Sequence, residues 1–169
     1  MTACEVGVDQ AVFAKQFLSR WDGWMLYLID PYEPYEEMPG SRQADLMTAV
    51  AALTPEYHGR FKFLLMESLE AAGLAAEWFT PSFVYLDADH SYDAVSEDIK
   101  LWWDRLPPSG VLAGHDYDQE HATVVKAVNE FSEREGVTVR LTAGDLPDHQ
   151  SWYAYRTEPN SLLRLYPEE

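Results

Sequence analysis

Two short clusters carry the side chains best suited to chemistry. Asp87-Ala88-Asp89-His90 and His115-Asp116 stand at the ends of the apolar runs "SFVYLDA" and "VLAG", with a segment of helical spacing between them. Carboxylates two apart beside imidazoles make an oxygen-rich site with one or two nitrogen donors. Mg²⁺, Mn²⁺ and Ca²⁺ prefer carboxylate and water ligands, whereas structural zinc takes more sulfur and nitrogen. A cation held there would lower the pKa of a bound hydroxyl and orient it. Ser91 or Asp93 capping the next helix accounts for one or two of these side chains, not for five.

Two positions earlier in the chain suit ligand binding. In "EVGVDQA", Gly7 lies between an apolar run and a helical one, where a glycine lets a ligand approach the backbone and the helix start offers N–H groups. Asp30 ends the next apolar run, 23 residues on, a spacing suited to accepting hydrogen bonds from ribose hydroxyls. The three-glycine pattern of nicotinamide binders is absent, since Asp9 and Ala11 stand in its later positions.

Positioning these residues requires strands that stop beside one another. Apolar runs of strand length recur at "ACEVGV", "WMLYLID", "GRFKFLLM", "SFVYLDA", "VLAG", "VTVRLTA" and "SWYAYR". Helical stripes separate them. Phe13, Phe17, Leu18 and Trp21 share one helix face. Leu46, Met47, Val50 and Leu53 share a side of a helix from Arg42 to Leu53, and an alanine-rich helix runs from Ser68 to Trp78. Val95, Ile99, Trp102, Trp103 and Leu106 form a stripe ended by Pro107 and Pro108, and Val124, Val128 and Phe131 mark the last helix.

Alternation of this kind predicts an α/β fold. The expected form is a Rossmann-like, doubly wound, mostly parallel seven-stranded sheet with an antiparallel last strand. Ligands in such sheets bind outside the carboxyl ends of the strands, so both acidic clusters should face one crevice.

Composition narrows the function. The 169 residues are 47% hydrophobic and 24% charged, as in a globular domain. Twelve basic against 29 acidic residues give a net charge of −17, which disfavours nucleic acid and anionic membranes as partners. No apolar run reaches membrane-spanning length and the N-terminus lacks signal-peptide character, so a cytoplasmic protein is expected. The lone Cys4 reads as a core filler.

The block "FVYLDADHSYDAVSEDIKLWWDRLPPSGVLAGHDY" resembles that of class I S-adenosylmethionine-dependent methyltransferases, in particular small bacterial enzymes related to macrocin, cephalosporin and coumarin-antibiotic O-methyltransferases. "EVGVDQAVFA", "LYLIDPY", "LLMESLEAA" and "KAVNEF" extend the similarity along most of the chain. The resemblance implies a single methyltransferase domain over residues 1–169 that lacks the N-terminal lid helices usual in relatives. It implies S-adenosylmethionine as cofactor and O-methylation of a small-molecule acceptor. Glu5 and Gly7 would line the methionine part, Asp30 would hold the ribose, and Glu67 and Ser68 would lie beside adenine, with Asp87 also at the cofactor. Asp87, His115 and Asp116 would hold Mg²⁺ or Mn²⁺. Asp89 would be the general base, with His90 its rival because its pKa lies nearer neutrality.

Two departures stand out. Relatives often have a second glycine at Ala11, a change the turn tolerates if φ is negative there, and a carboxylate at His115, where imidazole is a poorer Mg²⁺ ligand. A partner subunit could complete the site, and Trp21, Trp24, Trp152 and Tyr153 permit a homo-oligomer interface. Two rival readings are a non-catalytic methyltransferase-like binding module and a metal-dependent hydrolase suggested by the His-Asp pair.

Overall fold

In a computed structural model that describes residues 1–35, 38–143 and 150–157, each apolar run contributes a strand. Chain order is β1 (Thr2–Val6), α1 (Val12–Leu18), β2 (Met25–Ile29), α2 (Gln43–Tyr57), β3 (Phe61–Leu64) and α3 (Ser68–Trp78). There follow β4 (Pro81–Leu86), α4 (Tyr92–Arg105), β5 (Val111–Gly114), α5 (Ala122–Glu135), β6 (Arg140–Leu141) and β7 (Trp152–Tyr155). The sheet order is β3-β2-β1-β4-β5-β7-β6. Strands β1 to β5 pair in parallel, and β7 inserts antiparallel between β5 and β6. The winding reverses between β1 and β4, so a crevice opens at their carboxyl ends.

Side-chain alternation explains the layers. Ala3, Leu26 and Leu28 face α1 and α2, packing with Ala14, Leu18, Ala49 and Leu53. Cys4, Val6, Ile29, Val84 and Leu112 face the other way, against Ala71, Ala75, Ile99, Trp102 and Phe131 of α3, α4 and α5. Cys4 is fully buried, as expected of a core filler.

Several boundaries differ from the sequence reading. Helix α2 buries Ala49 and Leu53, while Met47 and Val50 are exposed, so its inner face is rotated from the stripe read in the sequence. β6 is only two residues long, against seven expected. Trp152 is core and Trp24 lies on the surface. No helix among the described residues is long and apolar enough to cross a membrane.

Candidate functional site

Backbone pairing continues past the strands and draws the loops together. The Gly7 N–H donates to Ile29 O at 2.9 Å, Asp87 N–H to Val6 O at 2.8 Å, and His115 N–H to Leu86 O at 3.0 Å. Gly7 has φ +82°, and a Cβ there would lie 1.9 Å from the Asp87 carbonyl oxygen. The space a side chain would fill is taken by the β4 loop, so this glycine first of all lets two loops of the same chain close together. Ala11 is the N-cap of α1 with φ 61°, in the left-handed region. The expected negative φ is therefore corrected: an L-residue holds a conformation that costs about 1 kcal/mol.

Asp30 is 2% exposed. Its carboxylate accepts the N–H groups of Val8 at 3.0 Å, Asp9 at 3.1 Å and Tyr32 at 2.7 Å. The Arg42 guanidinium adds contacts at 3.3 and 3.4 Å, and also reaches Asp9 Oδ1 at 3.0 Å. Sequence reasoning gave Arg42 only to a helix start. It is a buried cation that ties Asp9, Asp30 and Asp45 and lies over the rings of Tyr32 and Tyr35.

A cavity of about 700 Å³ lies over these strand ends, lined by Glu5, Gly7, Asp9, Asp30, Arg42, Glu67, Ser68, Asp87, Asp89, His90 and Asp98 among others. This is within the range of small-molecule sites. Glu5 is 1% exposed, and its Oε2 has no hydrogen-bond partner among the described residues. Burial, with Asp87 and Asp30 nearby, holds its pKa well above the usual carboxylate range. A buried carboxyl of this kind is costly unless a donor or cation meets it.

At the rim, Asp116 gathers three imidazoles. His90 Nε2 lies 2.9 Å from Oδ2, His115 Nδ1 3.0 Å from Oδ1, and His121 Nδ1 3.6 Å from Oδ1. Burial alone would raise Asp116, but the hydrogen bonds from His115 and His90 outweigh it and hold the carboxyl well below its usual range. His115 is raised, chiefly by its bond to Asp116. Asp87, 3.8 Å from His115 Nδ1, is pushed up to about 6 by burial, which the nearby His115 opposes. Asp89 Oδ1 accepts the Ser91 N–H at 2.7 Å, and Ser91 Oγ accepts from Ala94 N at 3.4 Å. Ser91 is thus the α4 cap, and Asp89 shapes the turn before it.

All ten residues singled out in the sequence converge on this crevice, eight on the cavity and His115 with Asp116 at its β5 side. In sequence, His121 and His149 lie in polar loops where they could touch a substrate or sit as solvent-exposed surface; His121 is half-buried against Asp116 and Asp118. His149 lies outside the described residues. Arg42, Asp9 and Asp98 were missed. The only sequence signal for Asp98 was its place one turn after Ala94, on the flank of a stripe read solely for apolar residues.

The fold is that of S-adenosylmethionine-dependent methyltransferases. The chain belongs to the methyltransferase-domain family, whose model matches residues 7–117. The O-methyltransferase TomG from Streptomyces achromogenes, involved in tomaymycin synthesis and solved with S-adenosylmethionine, is 15% identical. The match has a TM-score of 0.69 and covers 92% of this chain and 73% of that one. An O-methyltransferase from Bacillus cereus, in complex with S-adenosylhomocysteine, is 14% identical with a TM-score of 0.66, over 91% and 73% of the two chains. An rRNA methylase from Streptococcus thermophilus is 13% identical with a TM-score of 0.65, over 93% and 87%. No curated protein sequence matches significantly.

Proposed function

We propose that this protein is an S-adenosylmethionine-dependent methyltransferase acting on an oxygen of a small molecule, in a group similar to the macrocin, cephalosporin and coumarin-antibiotic O-methyltransferases. The observation that carries this reading is the unpartnered, buried Glu5 oxygen in a cavity whose rim holds a His–Asp pair. Glu5 suits the ligand's ammonium group. Gly7 and Asp87 lie beside the same strand ends, Asp30 and Asp9 form an acidic edge for ribose hydroxyls, and Glu67 and Ser68 flank the adenine end.

S-adenosylmethionine supplies a methyl group already activated on sulfur. The chain must align the acceptor and take its proton. Asp89 is engaged in the turn before α4, whereas His90 is held through Nε2 by Asp116. An ion pair at that distance stabilises the imidazolium formed by proton removal. We therefore favour His90 over Asp89 as the base.

Donor atoms of Asp87, His115 and Asp116 lie within 4.8 Å of one another. Two oxygens and one nitrogen fit Mn²⁺ better than Mg²⁺. A cation there would polarise the acceptor hydroxyl, and these three residues would hold it.

Calorimetric titration with S-adenosylhomocysteine, with and without Mn²⁺, tests the reading. Micromolar binding that weakens at least roughly tenfold in Glu5→Gln supports it, followed by methylation of hydroxylated acceptors read by mass. A folded wild-type protein that does not bind S-adenosylhomocysteine overturns it.

A further inference from the structure

Asp116 faces two different sets of neighbours. Asp87 and His115 make the oxygen-richer set with it. On its other side, His90 from the β4–α4 loop and His121 at the start of α5 complete a second triad, and one donor atom from each of the three lies within 4.8 Å of the others. The imidazole rings of His90 and His121 have centroids 4.9 Å apart and are tilted by 58°. His90 Nε2 stands 2.9 Å from Asp116 Oδ2. Neighbouring ligand atoms around a tetrahedral cation are separated by a similar distance, roughly 3.3 Å for bonds of about 2.0 Å.

Both imidazoles are held from behind. His121 Nδ1 lies 3.0 Å from Asp118 Oδ1, an oxygen that also accepts the N–H groups of Glu120 at 2.9 Å and His121 at 3.0 Å. A carboxylate on one ring nitrogen fixes an imidazole's tautomer and orientation and presents the other nitrogen to a cation. Thr123 Oγ donates to the His90 carbonyl at 2.7 Å, which fastens the β4–α4 loop to the first turn of α5. The two histidines are therefore set against each other by bonds outside the triad.

We propose that His90, Asp116 and His121 form a second cation site, selective for Zn²⁺, and that its occupation takes His90 out of proton transfer, an effect that rests on the reading of His90 as the base. Two imidazoles and one carboxylate suit Zn²⁺, whereas Mg²⁺ and Mn²⁺ favour the set with more oxygen on the other side of Asp116. A ligating imidazole is neutral and carries its one proton on the other nitrogen, so a Zn²⁺-bound His90 has no lone pair left for the proton of an acceptor hydroxyl.

Calorimetric titration of the metal-stripped protein with Zn²⁺, at about pH 7.5 where an ordinary imidazole is mostly neutral, tests the site without cofactor or acceptor. Wild-type protein should bind one Zn²⁺ per chain with roughly micromolar affinity or better. Asp118→Asn and His121→Gln should each weaken this by at least about tenfold, since even a carboxylate behind a ligating imidazole is worth that much. Asp87→Asn, which belongs to the other set, should cost Zn²⁺ less than His121→Gln does. In methyl transfer to a hydroxylated acceptor, the same Zn²⁺ concentrations should lower wild-type turnover and leave S-adenosylhomocysteine affinity unchanged. Wild-type protein that takes up no Zn²⁺, or binding undiminished in folded His121→Gln, overturns the site; undiminished turnover of the Zn²⁺-bound enzyme overturns the inhibition. The wild-type titration needs no variant, so a misfolded substitution does not protect the idea. Zn²⁺ uptake by a folded protein that binds no S-adenosylhomocysteine supports the site while the cofactor reading fails, so the two failures are told apart.

Discussion

Asp30 and Asp116 are both buried aspartates just past strand ends, and each gathers several donors, but the donors differ in kind. Asp30 is met by three backbone N–H groups and a guanidinium. None of these changes its proton count at physiological pH. Asp116 is met by imidazoles, which titrate there. The first arrangement suits a fixed pin that shapes the loops after β1 and β2. The second suits a site that passes protons or holds a cation. Two equally buried carboxylates therefore take different roles, and the partners decide which.

The contrast can be broken most sharply at the carboxylates themselves. Asp116→Asn should lower kcat by about 10²- to 10⁴-fold, the usual contribution of general acid–base catalysis, while S-adenosylhomocysteine affinity stays within about threefold. Equal losses in rate and affinity would make Asp116 a second pin. Asp30→Ala should act the other way, costing about 3–5 kcal/mol of stability because buried Arg42 loses its main partner. Chemical denaturation reads this directly, and a loss below about 1 kcal/mol would sink the pin.

Asp98 gives a smaller effect with a pH signature. Its folded-state pKa of about 6 lies above the ordinary 3.8, through burial and then the neighbouring charges of Glu97, Glu67 and Asp89, opposed by the Ser68 hydroxyl. Because the folded state holds this proton more tightly, the group favours folding below pH 4 and loses that contribution as the pH rises through 6. Asp98→Asn should therefore be more stable than wild type by roughly 1–3 kcal/mol at pH 7, with the gain vanishing below pH 4. A gain independent of pH in thermal melts would contradict this. The smallest expected change is Ala11→Gly, which relieves a positive φ and should add about 0.5–1 kcal/mol. Unchanged stability would mean that the fully buried Ala11 methyl contributes as much packing as its backbone costs.

Much of the fold was legible because strand length and helical period are local properties. α3 and β5 run over the residues expected of them, and all seven strands form in the expected order. β6 was overestimated because "VTVRLTA" has strand composition, yet pairing is available only to Arg140 and Leu141 opposite Trp152 and Tyr153. The α2 stripe was misread because Met47 and Val50 outrank Ala49 in hydrophobicity, while the sheet selects by fit. At the site, residues adjacent in sequence were found, and Arg42 was not. Arg42 lies 12 positions from Asp30, so it carries no local pattern.

What the sequence determined on its own is the alternation of strand and helix, and with it the placing of Asp30, Asp87 and His115-Asp116 at strand ends, since periodicity and chain reversal need only near neighbours. What only the tertiary structure decided is which partners those groups have. Asp89 was drawn into a turn, His90 toward Asp116, and Asp98 into the cavity. The physical reason is that burial and hydrogen-bond geometry arise from contacts between distant segments, and these set proton affinity and ligand preference.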